Sequence, residues 1–158
     1  MGNSDAIPTA RTAAADPPAD RPAVDHHRAL GIDVGGTGVK AAVVDLATGE
    51  LTSPRIREKT PRPATPAAVL ETVGRIVDRL AEGGHLDPAM PAGAGLPGVV
   101  KRGRLVTAAN IDPGWVDYPA QAALEERLGR PVRLINDADA AGLAEVAFGA
   151  AKGVPGTV

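Results

Sequence analysis

A chain of 158 residues has room for one domain of the usual roughly 100 to 200 residues, or one lobe of a larger one, but not for two full domains. Its 44% hydrophobic content and mean hydropathy of −0.04 are those of a soluble globular protein, and 17 basic against 19 acidic residues spread along the chain leave no basic footprint for duplex DNA. The absence of cysteine removes disulfides, thiolate zinc sites and a cysteine nucleophile, while a single Trp, Tyr and Phe argue against a stacking platform for single-stranded nucleic acid.

The core is therefore expected to be built from Ala, Val, Leu and Ile. No apolar run approaches the roughly 18 residues of a membrane span, and the N-terminus lacks the apolar segment of a secretory signal. A cytoplasmic protein with no membrane or nucleic-acid partner is expected. Residues 1–28 carry Pro8, Pro17, Pro18 and Pro22 and show no helix or strand period, which predicts a disordered leader. The adjacent His26 and His27 point in different directions and lack further ligands, so no metal site is expected there.

Order is expected from Ala29. The run Ala29–Val34 reads as a strand, Gly35–Gly38 as a turn, Val39–Asp45 as a second strand, and Ala47–Glu50 as a turn into a third strand through Ile56, together an antiparallel meander. Thr65 as N-cap and Pro66 at the first helical position open a helix whose Val69, Leu70, Val73, Ile76, Val77 and Leu80 share one face, ending at Gly83-Gly84. A small buried strand follows at Ala92–Leu96, then turns at Pro97-Gly98 and over Asn110–Trp115. Pro119–Leu128 reads as a helix, Val132–Ile135 as a strand and Ala138–Phe148 as a helix ended by Gly149. Strands followed by alternating helices and strands predict an α/β lobe.

Three segments carry chemistry. In Asp33-Val34-Gly35-Gly36-Thr37-Gly38-Val39-Lys40, glycines at a strand end let backbone N–H groups approach phosphate oxygens, Thr37 adds a hydroxyl, and Asp33 can orient Mg²⁺ through water. A dinucleotide fingerprint would need a helix next, but Ala41–Asp45 continues as a strand, and a Walker loop would need Gly-Lys-Ser/Thr. The same glycines also suit a plain tight hairpin. In Asn136-Asp137-Ala138-Asp139, a carboxylate where a strand meets a helix can accept a proton from a substrate hydroxyl, which makes Asp137 the candidate base. The alternative is that Asn136, Asp137 and Asp139 only cap the helix. Gly95–Val99 and Thr107–Asp112 can supply hydrogen bonds to a polyhydroxylated ligand, with Trp115 closing the pocket from behind. Separately, Arg55, Arg57 and Lys59 alternate onto one strand face with Arg62 behind, a pattern that suits either an extended polyanion or a charged edge kept from aggregating.

In this order and spacing the segments resemble the N-terminal lobe of the ROK family (repressor, open reading frame, kinase) of sugar kinases, whose lobes share an actin-like, ribonuclease H-like fold. The resemblance runs from Ala29 to the last residue, making 29–158 a single kinase lobe with the C-terminal lobe missing. Leu30–Lys40, Pro63–Pro66, Thr107–Asp112 and Leu134–Glu145 look most like the actinobacterial polyphosphate glucokinases within that family. The resemblance implies that Asp33, Gly35, Gly36, Thr37, Gly38 and Lys40 hold the phosphoryl donor, polyphosphate or ATP, with Mg²⁺. It further implies that Gly98, Asn110 and Asn136 bind glucose, that Asp137 activates the sugar 6-hydroxyl, and that Glu145 supports the sugar site. A homodimer is implied for the full-length protein. The alternatives are an ATP-only glucokinase or another hexose kinase, a truncated fragment with no activity of its own, and a sugar-sensing repressor. The last needs a helix-turn-helix, for which residues 1–28 are too short and too rich in proline.

Overall fold

The computed structural model describes residues 27–153, so the predicted leader lies outside the described residues except for its last two positions. The elements in chain order are β1 (Arg28–Val34), β2 (Gly38–Asp45), β3 (Ile56–Lys59), α1 (Pro66–Glu82), β4 (Ala92–Leu96), β5 (Val100–Lys101), β6 (Arg104–Leu105), α2 (Ala120–Leu128), β7 (Val132–Asn136) and α3 (Asp137–Phe148). A mixed five-stranded sheet runs in the order β3-β2-β1-β4-β7, with β2 antiparallel to β1 and β3, and with β4 and β7 parallel to β1. Two parallel crossovers are made, through α1 and through α2, as parallel neighbours require.

The period-2 pattern decides which face is buried. Leu30, Ile32 and Val34 on β1 and Val39, Ala41 and Val43 on β2 are within 5% of full burial, and each of the Leu, Ile and Val side chains contributes about 1.5–3 kcal/mol on leaving water. Helix α1 closes this face. Thr65 accepts from the Ala68 N–H at 3.3 Å, Pro66 occupies the first turn, and Val69, Val73, Ile76, Val77 and Leu80 are buried against the strands. Helix α2 adds Ala120 and Leu124 to the same core and stops at Gly129 in the left-handed conformation, φ 61°.

The core is aliphatic as the composition dictates, with one exception. Trp115 is 1% exposed, its Nε1 donates to the Ala64 carbonyl at 2.9 Å, and its ring meets Tyr118 edge-on at 5.6 Å. It therefore ties the 110–118 segment to the start of α1 rather than closing a ligand pocket from behind, which corrects the sequence expectation. Burial is the reason: in a chain short of aromatics the one indole contributes most where it is wholly dry and its N–H is satisfied.

Two further differences have local causes. The third strand runs over Ile56–Lys59, not up to Ile56, because Pro54 has no N–H to donate and Ser53 turns its hydroxyl to accept from the Val43 N–H at 2.8 Å. Before it, Leu51 bridges Val44, flanked by the Asp45 N–H on the Glu50 carbonyl at 2.9 Å and the Thr52 N–H on the Val43 carbonyl at 2.8 Å. The β5–β6 hairpin was not expected; its two-residue turn is Arg102-Gly103, both left-handed at φ 50° and 74°. Asn or Asp usually announces such a turn, and arginine does not.

Candidate active site

The parallel strands β1, β4 and β7 end level with one another. Asp33 pairs with Gly95, Gly95 with Ile135, and Leu96 with Asn136, so the glycine turn after β1, the Pro97-Gly98 turn after β4 and Asp137 after β7 emerge at one carboxyl edge. That edge is where ligands bind in open α/β sheets. Long-range pairing, not any local motif, thus assembles the three segments.

The glycine turn joins β1 to β2, so it is a hairpin, yet hairpin strain does not account for its glycines. None of Gly35, Gly36 and Gly38 is among the positive-φ glycines. Space accounts for two of them: a Cβ on Gly36 would lie 3.0 Å from the Asn110 carbonyl oxygen, and one on Gly38 would lie 2.7 Å from Arg57 Nε. The carbonyls are tied down: Thr60 Oγ1 donates to Gly35 O at 2.6 Å, Arg62 Nη2 to Gly36 O at 3.2 Å, the Thr60 N–H to Thr37 O at 3.4 Å, and the Gly35 N–H to Gly38 O at 3.0 Å. The N–H groups of Gly36 and Thr37 meet no acceptor among the described residues. Bound carbonyls on one side and free N–H groups on the other make a concavity suited to an anion. Gly36, Thr37, Arg62 and Asn110 line a cavity of about 350 Å³ beside it.

Lys40 sits across from Asp33 in the β1–β2 ladder and binds its Oδ2 at 2.6 Å. The pair is half-exposed, and the other Asp33 oxygen is open. Among the described residues no three His, Asp or Glu side chains gather to hold a metal directly. A single open carboxylate beside a turn suited to an anion fits an ion that keeps its waters and arrives with phosphate, which is the habit of Mg²⁺.

On the opposite side of the edge, Asn136 caps α3: its Oδ1 accepts from the Ala138 and Asp139 N–H groups at 2.9 and 3.1 Å, and its Nδ2 donates to the Gly98 carbonyl at 3.0 Å. Asp137, the first residue of α3, accepts from Ala138 with Oδ1 and keeps Oδ2 free. The capping alternative is thereby divided between the two residues, since Asn136 performs it and Asp137 is half-buried with an oxygen to spare. The 107–110 loop is laced to the Pro97–Val99 turn by the Ala109 N–H on Pro97 O at 2.8 Å and the Val99 N–H on Thr107 Oγ1 at 3.0 Å. Gly98 allows this, because a Cβ there would overlap the Thr107 carbonyl oxygen. Asn110 takes φ 60°, a left-handed conformation asparagine tolerates, and lies against Gly36.

The structure thus brings Asp33, Gly35, Gly36, Thr37, Gly38, Lys40, Gly98, Asn110, Asn136 and Asp137 to one edge. Glu145 is not brought there: it lies eight residues along α3, about 12 Å from Asp137 along the axis, exposed, with its Oε2 accepting from the Ala150 N–H at 3.1 Å. Sequence reasoning missed Thr60, whose buried hydroxyl orients the glycine turn from 25 residues away. A threonine between a strand and a proline loop carries no local signal for that.

The mixed sheet with its helices and the site at its carboxyl edge define an actin-like sugar-kinase lobe. The chain belongs to the ROK family, whose sequence profile matches residues 29–158. A polyphosphate glucokinase of Mycobacterium tuberculosis is 44% identical over 137 residues, 86% of this chain and 49% of its own length. Among solved structures, an inorganic polyphosphate/ATP-glucomannokinase from Arthrobacter sp. strain KM is 45% identical with a TM-score of 0.78, covering 82% of this chain and 51% of that one. A ROK family glucokinase from Streptomyces griseus, in complex with glucose and AMPPNP, is 36% identical with a TM-score of 0.67, covering 80% of this chain and 38% of its own. The chain spans about half the length of the curated relatives it matches.

Proposed function

We propose that this lobe serves a glucose kinase that transfers a phosphoryl group from polyphosphate, ATP or both to the sugar 6-hydroxyl. The observation that carries the reading is the pairing of an open carboxylate, Asp137, with an open set of backbone N–H groups at Gly36 and Thr37 on one strand edge. The names of the relatives supply the substrates: polyphosphate and glucose for the mycobacterial enzyme, glucose and AMPPNP for the Streptomyces one.

Transfer of this kind depends chiefly on positioning and electrostatics. Asp137 Oδ2 accepts the 6-hydroxyl proton as the oxygen attacks the donor's terminal phosphorus, and the bridging P–O bond breaks to leave polyphosphate one unit shorter, or ADP. The Gly36 and Thr37 N–H groups and Lys40 hold the donor and offset its charge. Asn110 and the remaining N–H of Asn136 position sugar hydroxyls, while Gly98 lets the two loops close. Mg²⁺ supplies charge neutralisation on the phosphates when bound, and Asp33 would hold it through water. A cytoplasmic homodimer is the proposed form of the full-length protein.

Asp137→Asn tests the reading, since it keeps shape and the helix entry but removes the proton acceptor. In a chain extended to the relatives' length, glucose 6-phosphate production is expected to fall by roughly two or more orders of magnitude with Tm unchanged. Activity within a few-fold of the parent would reduce Asp137 to a helix cap. Running the parent with ATP and with polyphosphate separately decides between a dual-donor and an ATP-only enzyme.

A further inference from the structure

We infer that the edge strand β3 and the loop after it form a second, outer phosphate site that holds the distal part of a long inorganic polyphosphate chain beyond the phosphates at the glycine turn. The inference rests on the reading of that turn as a phosphate cradle. Arg55, Arg57 and Lys59 project from one face of β3 and its approach, spaced about 6.6 Å apart in pairs, so the row spans about 13 Å. The row starts at the turn: Lys59 is opposite Gly38 and Arg57 opposite Lys40, while Arg62 already binds the Gly36 carbonyl. At its far end Arg55 lines a cavity of about 310 Å³ with Asp33 and Lys40.

Charge pairing separates this row from ordinary surface charge. Glu58, on the other face of the same strand, is bonded by Arg75 at 3.0 Å and approached by Arg79 at 3.9 Å, both from α1. Arg55, Arg57, Lys59 and Arg62 have no carboxylate within ion-pair distance among the described residues. Arg57 lies back over the Gly38 backbone, where the missing Cβ makes room for its guanidinium beside the turn. Four exposed, uncompensated cations leading away from one anion cradle match a linear polyanion with a charge at every phosphate. No aromatic side chain stands in the row to stack a base, which favours an inorganic chain over single-stranded nucleic acid.

Binding to the 158-residue chain, measured by calorimetry at several salt concentrations, tests the site without any turnover. Long-chain polyphosphate should bind more tightly than tripolyphosphate. The variant Arg55→Ala, at the end of the row farthest from the turn, should weaken the long chain severalfold and flatten its log–log salt slope by about 1, one unit per lost contact. Tripolyphosphate affinity should move less than twofold. Arg102→Ala/Arg133→Ala, which removes two cations from a different cavity, should change neither. Equal losses for both probes, equal losses from the control variant, an unaffected long chain, no binding by the parent chain, or equal affinity for a single-stranded oligonucleotide would each overturn the outer site. Failure of the kinase reading would appear elsewhere, as turnover surviving Asp137→Asn, with these affinities unchanged.

Discussion

Helices α1 and α3 are held to the same sheet by different means. Helix α1 runs 17 residues and buries seven of them, including Ile76 and Leu80 at 0% exposure. Helix α3 runs 12 residues and buries none, leaving Leu143 and Phe148 at 49% and 47% exposure. The first is fixed along its length by packing. The second is fixed at its beginning, where Asn136 caps it and ties it to the Gly98 carbonyl, so that Asp137 is delivered to the carboxyl edge. The difference shows that a chemical group can be placed accurately by a cap and a strand end while the helix behind it stays loosely covered.

The largest expected effect breaks the packed helix. Leu80→Ala should cost about 2–5 kcal/mol in urea unfolding, because the cavity it leaves cannot collapse against a sheet, whereas Leu143→Ala should stay within about 0.5 kcal/mol. Equal losses at the two positions would show that α3 is packed as firmly as α1 and end the contrast.

Next comes the edge. Gly98→Ala drives a methyl group into the Thr107 carbonyl, so the laced loops must separate at a cost of about 1–3 kcal/mol. The chain extended to the relatives' length should also lose glucose affinity, read as a raised KM. A variant of unchanged stability would mean that the two loops slide freely.

A smaller loss sharpens the role of the cap. Asn136→Ala removes the acceptor for two N–H groups and should cost about 1 kcal/mol. Asn136→Ser can cap but cannot reach the Gly98 carbonyl with a donated N–H, so it should restore most of the stability without restoring turnover. Full catalytic rescue by serine would assign Asn136 to capping alone.

The smallest effect lies at the far end of α3, where the Phe148 ring meets Gly49 in the turn after β2. The Ala47 N–H, then that of Thr48, holds the Asp45 carboxyl below its ordinary value. A lowered carboxyl contributes stability that is complete above the ordinary value and is lost as pH falls through the lower one. Asp45→Asn should therefore lower Tm slightly at neutral pH and leave it unchanged at low pH, which flattens the acid limb of a Tm-against-pH curve. An unaltered acid limb would remove Asp45 from the account.

The elements legible residue by residue are those whose causes are local. Alternation in Leu30–Val34 and Val39–Val43, the Thr65-Pro66 start of α1, the Gly129 stop of α2 and the Asn136-Asp137 start of α3 all act within about one helical turn or one strand pair, so they can be read residue by residue. Features that depend on distant partners emerge once the chain has folded. The level ends of β1, β4 and β7 come from ladder register across some hundred residues, set by burial of one whole face. Thr60 becomes a support of the glycine turn, and Trp115 a core residue, only once the chain has closed on itself. The division of labour between Asn136 and Asp137 has the same origin: both residue types cap helices, and the Gly98 carbonyl, 38 residues away, is what holds the asparagine to that task and leaves the aspartate an open oxygen.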